Sequence, residues 1–231
     1  EDRQLVAIDL AVPLELPKAG IFANAKDDNE ILPIVFGNYL DPLVIPADDT
    51  NGGFTKGVLI DRLTLKYAVN GTRAVATQPL IYFNNTLQSS TVAVWNPNEL
   101  VEGRTVATLT FSLNSVAGGE VSVRCGGTAD AAGQPIINPI FALYFMLTTY
   151  AGRTLNDFDR GVCLQTAQDM TALGYEPFVF CFQEERTIRD WLLEILPMYH
   201  TDFTENGSGQ LSVMLDRSLT TFTGFPEFNI T

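Results

Sequence analysis

The chain has 231 residues and a formal net charge of −13, with a pI near 4.3. So acidic a chain, with no basic cluster, is not expected to bind a nucleic-acid backbone, because phosphate contacts require Lys and Arg. With 46% hydrophobic residues it can bury a core without disulfides or metals, and no apolar run reaches the ~20 residues of a membrane span.

Residues 1–57 are predicted to be a loop-rich N-terminal arm with short strands. Prolines and two polar stretches, residues 27–30 and 48–53, interrupt its apolar runs. The second stretch lacks the ligand spacing of a calcium loop, so it is predicted to be a plain turn. Residues 32–36 are typical of a short strand. An arm of this kind suits wrapping around a neighbouring subunit better than forming a core.

Residues 58–128 are predicted to form a β module. Apolar residues recur at even spacing before the turn at Asn70 and Gly71, and again over residues 106–113. Further strands are predicted at 79–83, 91–95 and 120–124, and Gly118-Gly119 and Gly126-Gly127 are predicted to lie in hairpin turns. Several short strands separated by turns indicate an antiparallel sandwich or barrel.

Residues 129–217 are predicted to form a smaller α+β module, followed by a C-terminal tail at 218–231. The hydrophobic period changes from two to that of a helix at Asn138, a favourable N-cap, and Pro139, a favourable first helical residue. Gly152 suits the left-handed position that ends this helix. The helix is apolar on nearly all sides, which predicts burial.

Two more helices, a strand and a hairpin complete the predicted module. The second helix is capped by Asn156 or Asp157 and closed by Gly174, and a buried strand follows at 175–182. Thr187 and Asp190 form a capping-box-like start for the third helix, which Pro197 ends. The hairpin turns at Asn206 and Gly207. Its apolar support is predicted to come from the third helix, through Trp191, Leu192, Ile195 and Leu196.

No side-chain group of the sequence predicts catalysis. The single histidine, His200, is expected on a hairpin strand beside Asp202, with no GxSxG motif for a nucleophile. The acidic residues Glu184, Glu185, Asp190 and Glu194 alternate with Arg186 and Arg189, which is typical of solvated helix charge pairs. We therefore expect no enzyme activity, no cofactor, no metal and no small-molecule substrate.

The three cysteines, Cys125, Cys163 and Cys181, are too few and scattered for a metal site or a disulfide framework. Free buried thiols are expected, with a single bridge left open. The aromatic residues Tyr82, Phe83 and Trp95 leave a second alternative open, because aromatics exposed on a sheet can stack on sugars. That alternative is a carbohydrate-binding or adhesin module, although strand aromatics more often belong to a core.

Four short motifs follow one another along the chain. The first is LPIVFGN at 32–38, and the second comprises Gly127, Asp130, Gly133, Ile136, Asn138 and Pro139. The third is Phe158-Asp159, and the fourth is NG.GQL at 206–211. In this order and spacing they resemble bacteriophage tail hub and tail-tip proteins, including the hub-like proteins of gene transfer agents. The resemblance covers residues 31–217.

The resemblance implies a virion structural protein of a tail tip or baseplate hub, present in the virion or in the bacterial cytoplasm before assembly. Such a protein forms a homo-oligomeric ring with other tail proteins and has no catalytic chemistry. The residues singled out are accordingly structural: Asn138, Pro139, Gly152, Gly174, Thr187, Asp190, Trp191, Asn206 and Gly207.

Overall fold

The computed structural model describes residues 10–40, 55–112, 120–175 and 178–215. The predictions for residues 1–9, the turn at 48–53, Gly118-Gly119 and the tail at 218–231 lie outside these ranges. The described residues combine three α-helices with antiparallel strands, so the predicted α+β class is confirmed. None of the helices in these ranges has the length and apolar character needed to span a bilayer.

The chain divides into two compact units. The larger unit comprises residues 14–142 and 176–185, and the smaller unit comprises residues 1–13, 143–175 and 186–231. This division differs from the predicted modules, because the boundary falls within a helix rather than at residue 128 and because residues 176–185 belong to the larger unit.

The larger unit contains two four-stranded antiparallel sheets and a two-stranded one. Strand β1 (Ile34–Phe36) is followed by β2 (Thr55–Lys56), β3 (Val58–Asp61), β4 (Lys66–Asn70), β5 (Leu80–Phe83), β6 (Thr86–Leu87), β7 (Ala93–Val101), β8 (Arg104–Phe111), β9 (Val121–Arg124) and β10 (Phe180–Phe182). The sheet orders are β2-β9-β5-β6, β3-β4-β8-β7 and β1-β10. The single residue Gly57 carries the chain from the first sheet to the second.

The sheet β3-β4-β8-β7 is buried on both faces where β4 runs. Alternate residues of a strand point to opposite faces. Tyr67 and Val69 accordingly join a core that contains residues of both four-stranded sheets, while Ala68 joins a second core. That second core is completed by the N-terminal segment, through Ala19, Phe22, Ala25 and Leu32.

The prediction that the N-terminal segment is an arm for a neighbouring subunit is therefore wrong for residues 14–39. Outside β1 these residues are irregular, with one 3₁₀-helix (Ala19–Ile21), yet most of their apolar side chains are buried, Ile21 being exposed. Backbone hydrogen bonds such as Ala19 N to Glu30 O, at 2.8 Å, fold the segment back on itself. The segment has neither a period of two nor one of 3.6, so its sequence gave no sign that it packs on a sheet.

The apolar alternation over residues 58–70 belongs to a hairpin and not to one strand. The Asp61 side chain accepts hydrogen bonds from Leu63 N at 2.9 Å and from the Thr64 hydroxyl at 2.6 Å. These bonds stabilise a turn, in which Leu63 is 70% exposed and Leu65 has a φ of 52°. Residues 90–92, partly predicted as strand, form a 3₁₀-helix before β7.

The strand predicted at 175–182 is shorter and lies in the larger unit. β10 pairs with β1, so that Val35 is opposite Cys181. Around this pair the rings of Phe178 and Phe182 lie 6.1 and 5.8 Å from the ring of Phe36. No local sequence signal could have indicated a partner strand so distant in the chain.

The caps of helix α1 (Pro139–Tyr150) follow the prediction. Asn138 Oδ1 accepts a hydrogen bond from Ile140 N at 3.0 Å, and Pro139 is the first helical residue. Gly152, with a φ of 61°, follows the helix, and Arg153 N donates to Leu147 O at 3.1 Å. A left-handed glycine of this kind satisfies the last carbonyls of a helix.

The smaller unit holds helices α2 (Arg160–Ala172) and α3 (Ile188–Ile195), a 3₁₀-helix (Leu196–Tyr199) and a hairpin of β11 (Thr201–Glu205) with β12 (Leu211–Leu215). Gly174, at φ 70°, closes α2, and Thr187 Oγ1 caps α3 by accepting from Asp190 N at 3.1 Å. The prediction that Asn156 or Asp157 caps α2 is wrong, because these residues lie in a 3₁₀-helix (Leu155–Asp157) and Asp159 is the cap.

The hairpin packs chiefly against α2. The Thr166 hydroxyl donates to Val213 O at 2.8 Å, and the Cys163 thiol lies 3.7 Å from Leu211 O. Trp191, Leu192, Ile195 and Leu196 of the α3 segment are buried, as predicted. The expected packing of the hairpin on α3 is corrected in part. Side chains of α2 reach the backbone of β12, whereas β11 lies against the 3₁₀-helix that follows α3, where the Thr201 hydroxyl donates to Leu196 O at 2.8 Å.

Candidate functional site

The first two motifs that resemble tail hub proteins, at residues 32–38 and 127–139, contact each other in the larger unit. Thr128 donates twice to Val35 O, from its backbone N at 2.6 Å and from its hydroxyl at 2.7 Å. The Asn70 side chain completes the group: its Nδ2 donates to Thr128 Oγ1 and its Oδ1 accepts from Val35 N, both at 3.3 Å. All three residues are buried. Buried polar groups that satisfy one another in this way hold their segments in one arrangement.

Two glycines permit this close approach. Gly127 N donates to Gly37 O at 2.7 Å, and Gly37 N donates to Ile136 O at 3.0 Å. Gly37 has a φ of 82°, which L-residues rarely adopt. A Cβ atom on Gly127 would lie 2.7 Å from Val35 O. Glycine is therefore required at both positions for steric reasons.

The last two motifs, Phe158-Asp159 and residues 206–211, contact each other in the smaller unit. Asp159 N donates to Leu211 O at 2.9 Å, and Asn206 Nδ2 donates to Asp159 Oδ2 at 3.0 Å. Gln210 Nε2 donates to Asn156 O at 3.0 Å. The start of α2 is therefore fastened to the turn of the hairpin by side chains from both.

Asp159 has two roles in this cluster. Its Oδ1 accepts from Val162 N at 3.1 Å, which caps α2, while Oδ2 receives the Asn206 amide. These hydrogen bonds favour the charged carboxylate and hold the pKa of Asp159 below its usual value. In the sequence Asp159 stands out only through the family resemblance, although its position three residues before Val162, the first apolar residue of the helix, is typical of a cap.

Asn206 organises the hairpin turn. Its Oδ1 accepts from Ser208 N at 2.9 Å and from Gln210 N at 3.0 Å. Within the loop the residue in the left-handed region is Gly209, at φ 74°. The turn predicted at Asn206 and Gly207 extends to Gln210, because Asn206 N donates to Gln210 O at 2.9 Å.

The single histidine is not in a strand. His200 follows the 3₁₀-helix in a left-handed conformation (φ 50°, ψ 37°) and is exposed. Its ring centroid lies 6.3 Å from that of Tyr175. The predicted sharing of a strand face with Asp202 is therefore wrong, since β11 begins only at Thr201.

The acidic residues near α3 form ion pairs and caps. Glu185 pairs with Lys18 at 2.5 Å in the larger unit, and Arg186 pairs with Glu194 in the smaller. The Arg186 guanidinium also lies over the Trp191 ring, 4.7 Å from its centroid. Asp190 accepts a hydrogen bond from the Thr187 hydroxyl at 2.6 Å. These three carboxylates are thus engaged in ion pairs and in a helix cap.

The three cysteines are free thiols. Burial raises the pKa of Cys125 to about 12 and also raises the pKa values of Cys163 and Cys181. A thiol whose pKa is raised stays protonated and is a poor nucleophile. Within the described ranges, no three His, Cys, Asp or Glu side chains are grouped so that they could hold a metal ion.

The aromatic residues of the β module do not form an exposed platform. Tyr82 is 8% exposed, with Arg124 over its ring at 5.5 Å. Phe83 and Trp95 pack against the core shared by the two four-stranded sheets, and Trp95 Nε1 donates to Ala76 O at 3.3 Å. These side chains are used in packing.

Comparison with protein-family models, with curated proteins and with solved structures finds no match to this chain.

Proposed function

We propose that this chain is a structural component of a phage-like tail tip or baseplate hub, which assembles as a ring with neighbouring tail proteins. It works in the virion and is present in the bacterial cytoplasm before assembly. It has no catalytic chemistry of its own, and its partners are further copies of itself and other tail proteins.

One observation carries the proposal. The motifs that resemble tail hub proteins lie far apart in the sequence, yet each bonds to another of them: Gly127 N donates to Gly37 O, and the Asn206 amide donates to Asp159. The shared residues are therefore those that hold a scaffold together. This is the pattern expected when the family constraint is on the fold rather than on a reaction.

The side-chain chemistry supports a structural role. Asp159 is engaged in capping a helix, and the buried thiols are protonated because burial raises their pKa values. The carbohydrate-binding alternative depended on exposure of Tyr82, Phe83 and Trp95. Since these residues pack into the larger unit, no observation favours that alternative over the hub.

Location in a particle is the direct test. We would append an epitope tag to the chromosomal copy in the cells that encode it, isolate tailed particles on a density gradient and label the tag with gold. The proposal expects gold at one end of the tail. If the gold stayed in the soluble fractions while the same cells produced intact particles without gold, the proposal would be contradicted.

Self-association is the second test. A charge of −13 on every copy opposes assembly most at low salt, because the Debye length grows to ~30 Å at 0.01 M. We expect the oligomer content in sedimentation velocity to rise with ionic strength. Removal of residues 1–30 is unsuitable as a control, since Phe22 and Ala25 are buried. A monomer at all salt concentrations that tail proteins also fail to recruit would contradict the ring.

A further inference from the structure

A polar pocket of about 270 Å³ opens in the larger unit where the chain crosses between the four-stranded sheets. We call it the Gly57 pocket. Its apolar residues are Gly57, Leu59 and Val121, and its polar ones are Lys26, Glu30, Lys56, Tyr67 and Glu120. Gly57 N donates to Val121 O at 2.8 Å, which fixes the crossing against β9.

Four charged side chains surround the pocket, and two of them are paired. Lys56 Nζ lies 3.3 Å from Glu30 Oε1. Lys26 and Glu120 are exposed, and neither forms an ion pair with another residue in the described ranges. One ammonium and one carboxylate are therefore available at the same pocket.

Tyr67 supplies a third polar group. The residue is only 8% exposed, and its ring packs edge-on against Phe111 with centroids 5.6 Å apart. Its hydroxyl has no hydrogen-bond partner among the residues that the structure describes. The hydroxyl oxygen is accessible rather than enclosed, so a ligand in the pocket can reach it. Desolvation raises the pKa of Tyr67, so the hydroxyl keeps its proton and can donate it.

We propose that the Gly57 pocket binds a small zwitterion of amino-acid size. The ligand carboxylate accepts hydrogen bonds from Lys26 Nζ and the Tyr67 hydroxyl, and its ammonium donates to Glu120. Its side chain lies on the apolar surface of Leu59. A net anion would be opposed by the glutamates and a net cation by the lysines, whereas a zwitterion satisfies both signs.

This inference does not rest on the proposed hub function, because the pocket lies within one copy of the chain. It concerns a bound ligand that is not converted. The hub could therefore be established or rejected in particles without affecting the result for the isolated chain.

The test compares L-valine with its two halves. 3-Methylbutanoate lacks the ammonium, and isobutylamine lacks the carboxylate. Each would be titrated into the ¹⁵N-labelled full chain while the amide signals of Gly57 and Tyr67 are followed. L-valine is expected to shift both signals saturably. Each half should bind about fivefold more weakly, because one partly exposed ion pair contributes up to ~1 kcal/mol.

Variants assign each charge to its partner. Lys26→Ala should weaken the binding of L-valine about fivefold and leave the binding of isobutylamine unchanged. Glu120→Gln should also weaken the binding of L-valine about fivefold, but it should leave the binding of 3-methylbutanoate unchanged. Tyr67→Phe should weaken L-valine and 3-methylbutanoate alike. Lys18→Ala is the matched control, because Lys18 belongs to the same N-terminal segment but pairs with Glu185 outside the pocket.

Two results would overturn the proposal. One is the absence of any saturable shift at Gly57 and Tyr67 with L-valine, in a chain whose other amide signals are well dispersed. The other is equal binding of L-valine and both halves, which would mean that the opposite charges of Lys26 and Glu120 are not used.

Discussion

The two units are stabilised by contacts of different range along the chain. In the larger unit, Val35 is held by Asn70 and Thr128, and the sheet β3-β4-β8-β7 is covered by residues 19–32. In the smaller unit, the helix caps come from Asp159 and Thr187 at the positions they cap. Contacts between residues distant in the chain therefore stabilise the larger unit, whereas the helices of the smaller unit are capped by residues next to them in the sequence.

This difference predicts where single substitutions act. Side chains at junctions between distant segments have partners that a local rearrangement cannot replace, so their loss should be costly in the larger unit. In the smaller unit the largest costs should come from buried apolar groups instead. Tryptophan fluorescence can follow each unit separately, since Trp95 belongs to the larger unit and Trp191 to the smaller.

The largest effect is expected for Trp191→Ala. The side chain is 4% exposed and lies under the Arg186 guanidinium. Its removal should lower the free energy of unfolding by about 3–5 kcal/mol, as other large core truncations do. Urea unfolding followed by far-UV circular dichroism measures this. Leu193→Ala, on the same helix but 53% exposed, is the control, and a Trp191→Ala loss below about 1 kcal/mol would place Trp191 at the surface.

Phe36→Ala tests the corresponding position in the larger unit. Phe36 is fully buried, and its ring contacts Phe178 and Phe182, which lie more than 140 positions further along the chain. We expect a loss of about 3–4 kcal/mol. The measurement is urea unfolding followed by Trp95 fluorescence in a Trp191→Phe background. Phe141→Ala, 46% exposed, should cost far less, and equal costs would contradict the assigned core.

Thr128→Val tests the polar junction with little change in volume. The substitution removes the hydroxyl bonds to Val35 O and Asn70 but keeps the backbone bond of Thr128. Leaving the buried Asn70 amide partly unsatisfied should cost about 1–3 kcal/mol. The same Trp95 assay applies. Asn70→Ala should cost at least as much, because it also removes the acceptor of Val35 N. No loss of stability for Thr128→Val would mean that the Thr128 hydroxyl does not stabilise this junction.

The sequence predicted the smaller unit better than the larger for a physical reason. Caps and left-handed glycines act within one helical turn, so Thr187, Gly152 and Gly174 could be recognised locally. The pairing of β1 with β10 and the burial of Phe22 depend on segments distant in the chain, which no periodicity reveals.

The candidate sites show the same limit. The sequence located Asn206 but could not link it to Asp159, 47 residues earlier. The Gly57 pocket could not be predicted either, because its lysines and glutamates come from three separate segments. The sequence also predicted a strand position for His200, because a left-handed residue after a 3₁₀-helix has no sequence signature when the residue is not glycine.

The smallest effect expected is a dependence on pH through Asp159. Its hydrogen bonds to Val162 N and the Asn206 amide hold the folded-state pKa below the unfolded value of about 3.9. A lowered folded-state pKa means that the carboxylate stabilises the folded unit above about pH 4. This contribution is lost as pH falls through the folded-state pKa.

Asp159→Asn should therefore be less stable than the parent near neutral pH, and the difference should shrink below about pH 4. Asparagine has a single side-chain oxygen, so it can still cap α2 but loses both the charge and the acceptor for the Asn206 amide. Urea midpoints by circular dichroism at several pH values measure this. Asp61→Asn, followed by Trp95 fluorescence, is the matched test in the larger unit, because the Thr64 hydroxyl lowers the pKa of Asp61 in the same direction. A difference for Asp159→Asn that stays constant down to about pH 2 would mean that the charge of Asp159 does not stabilise the link between α2 and the hairpin.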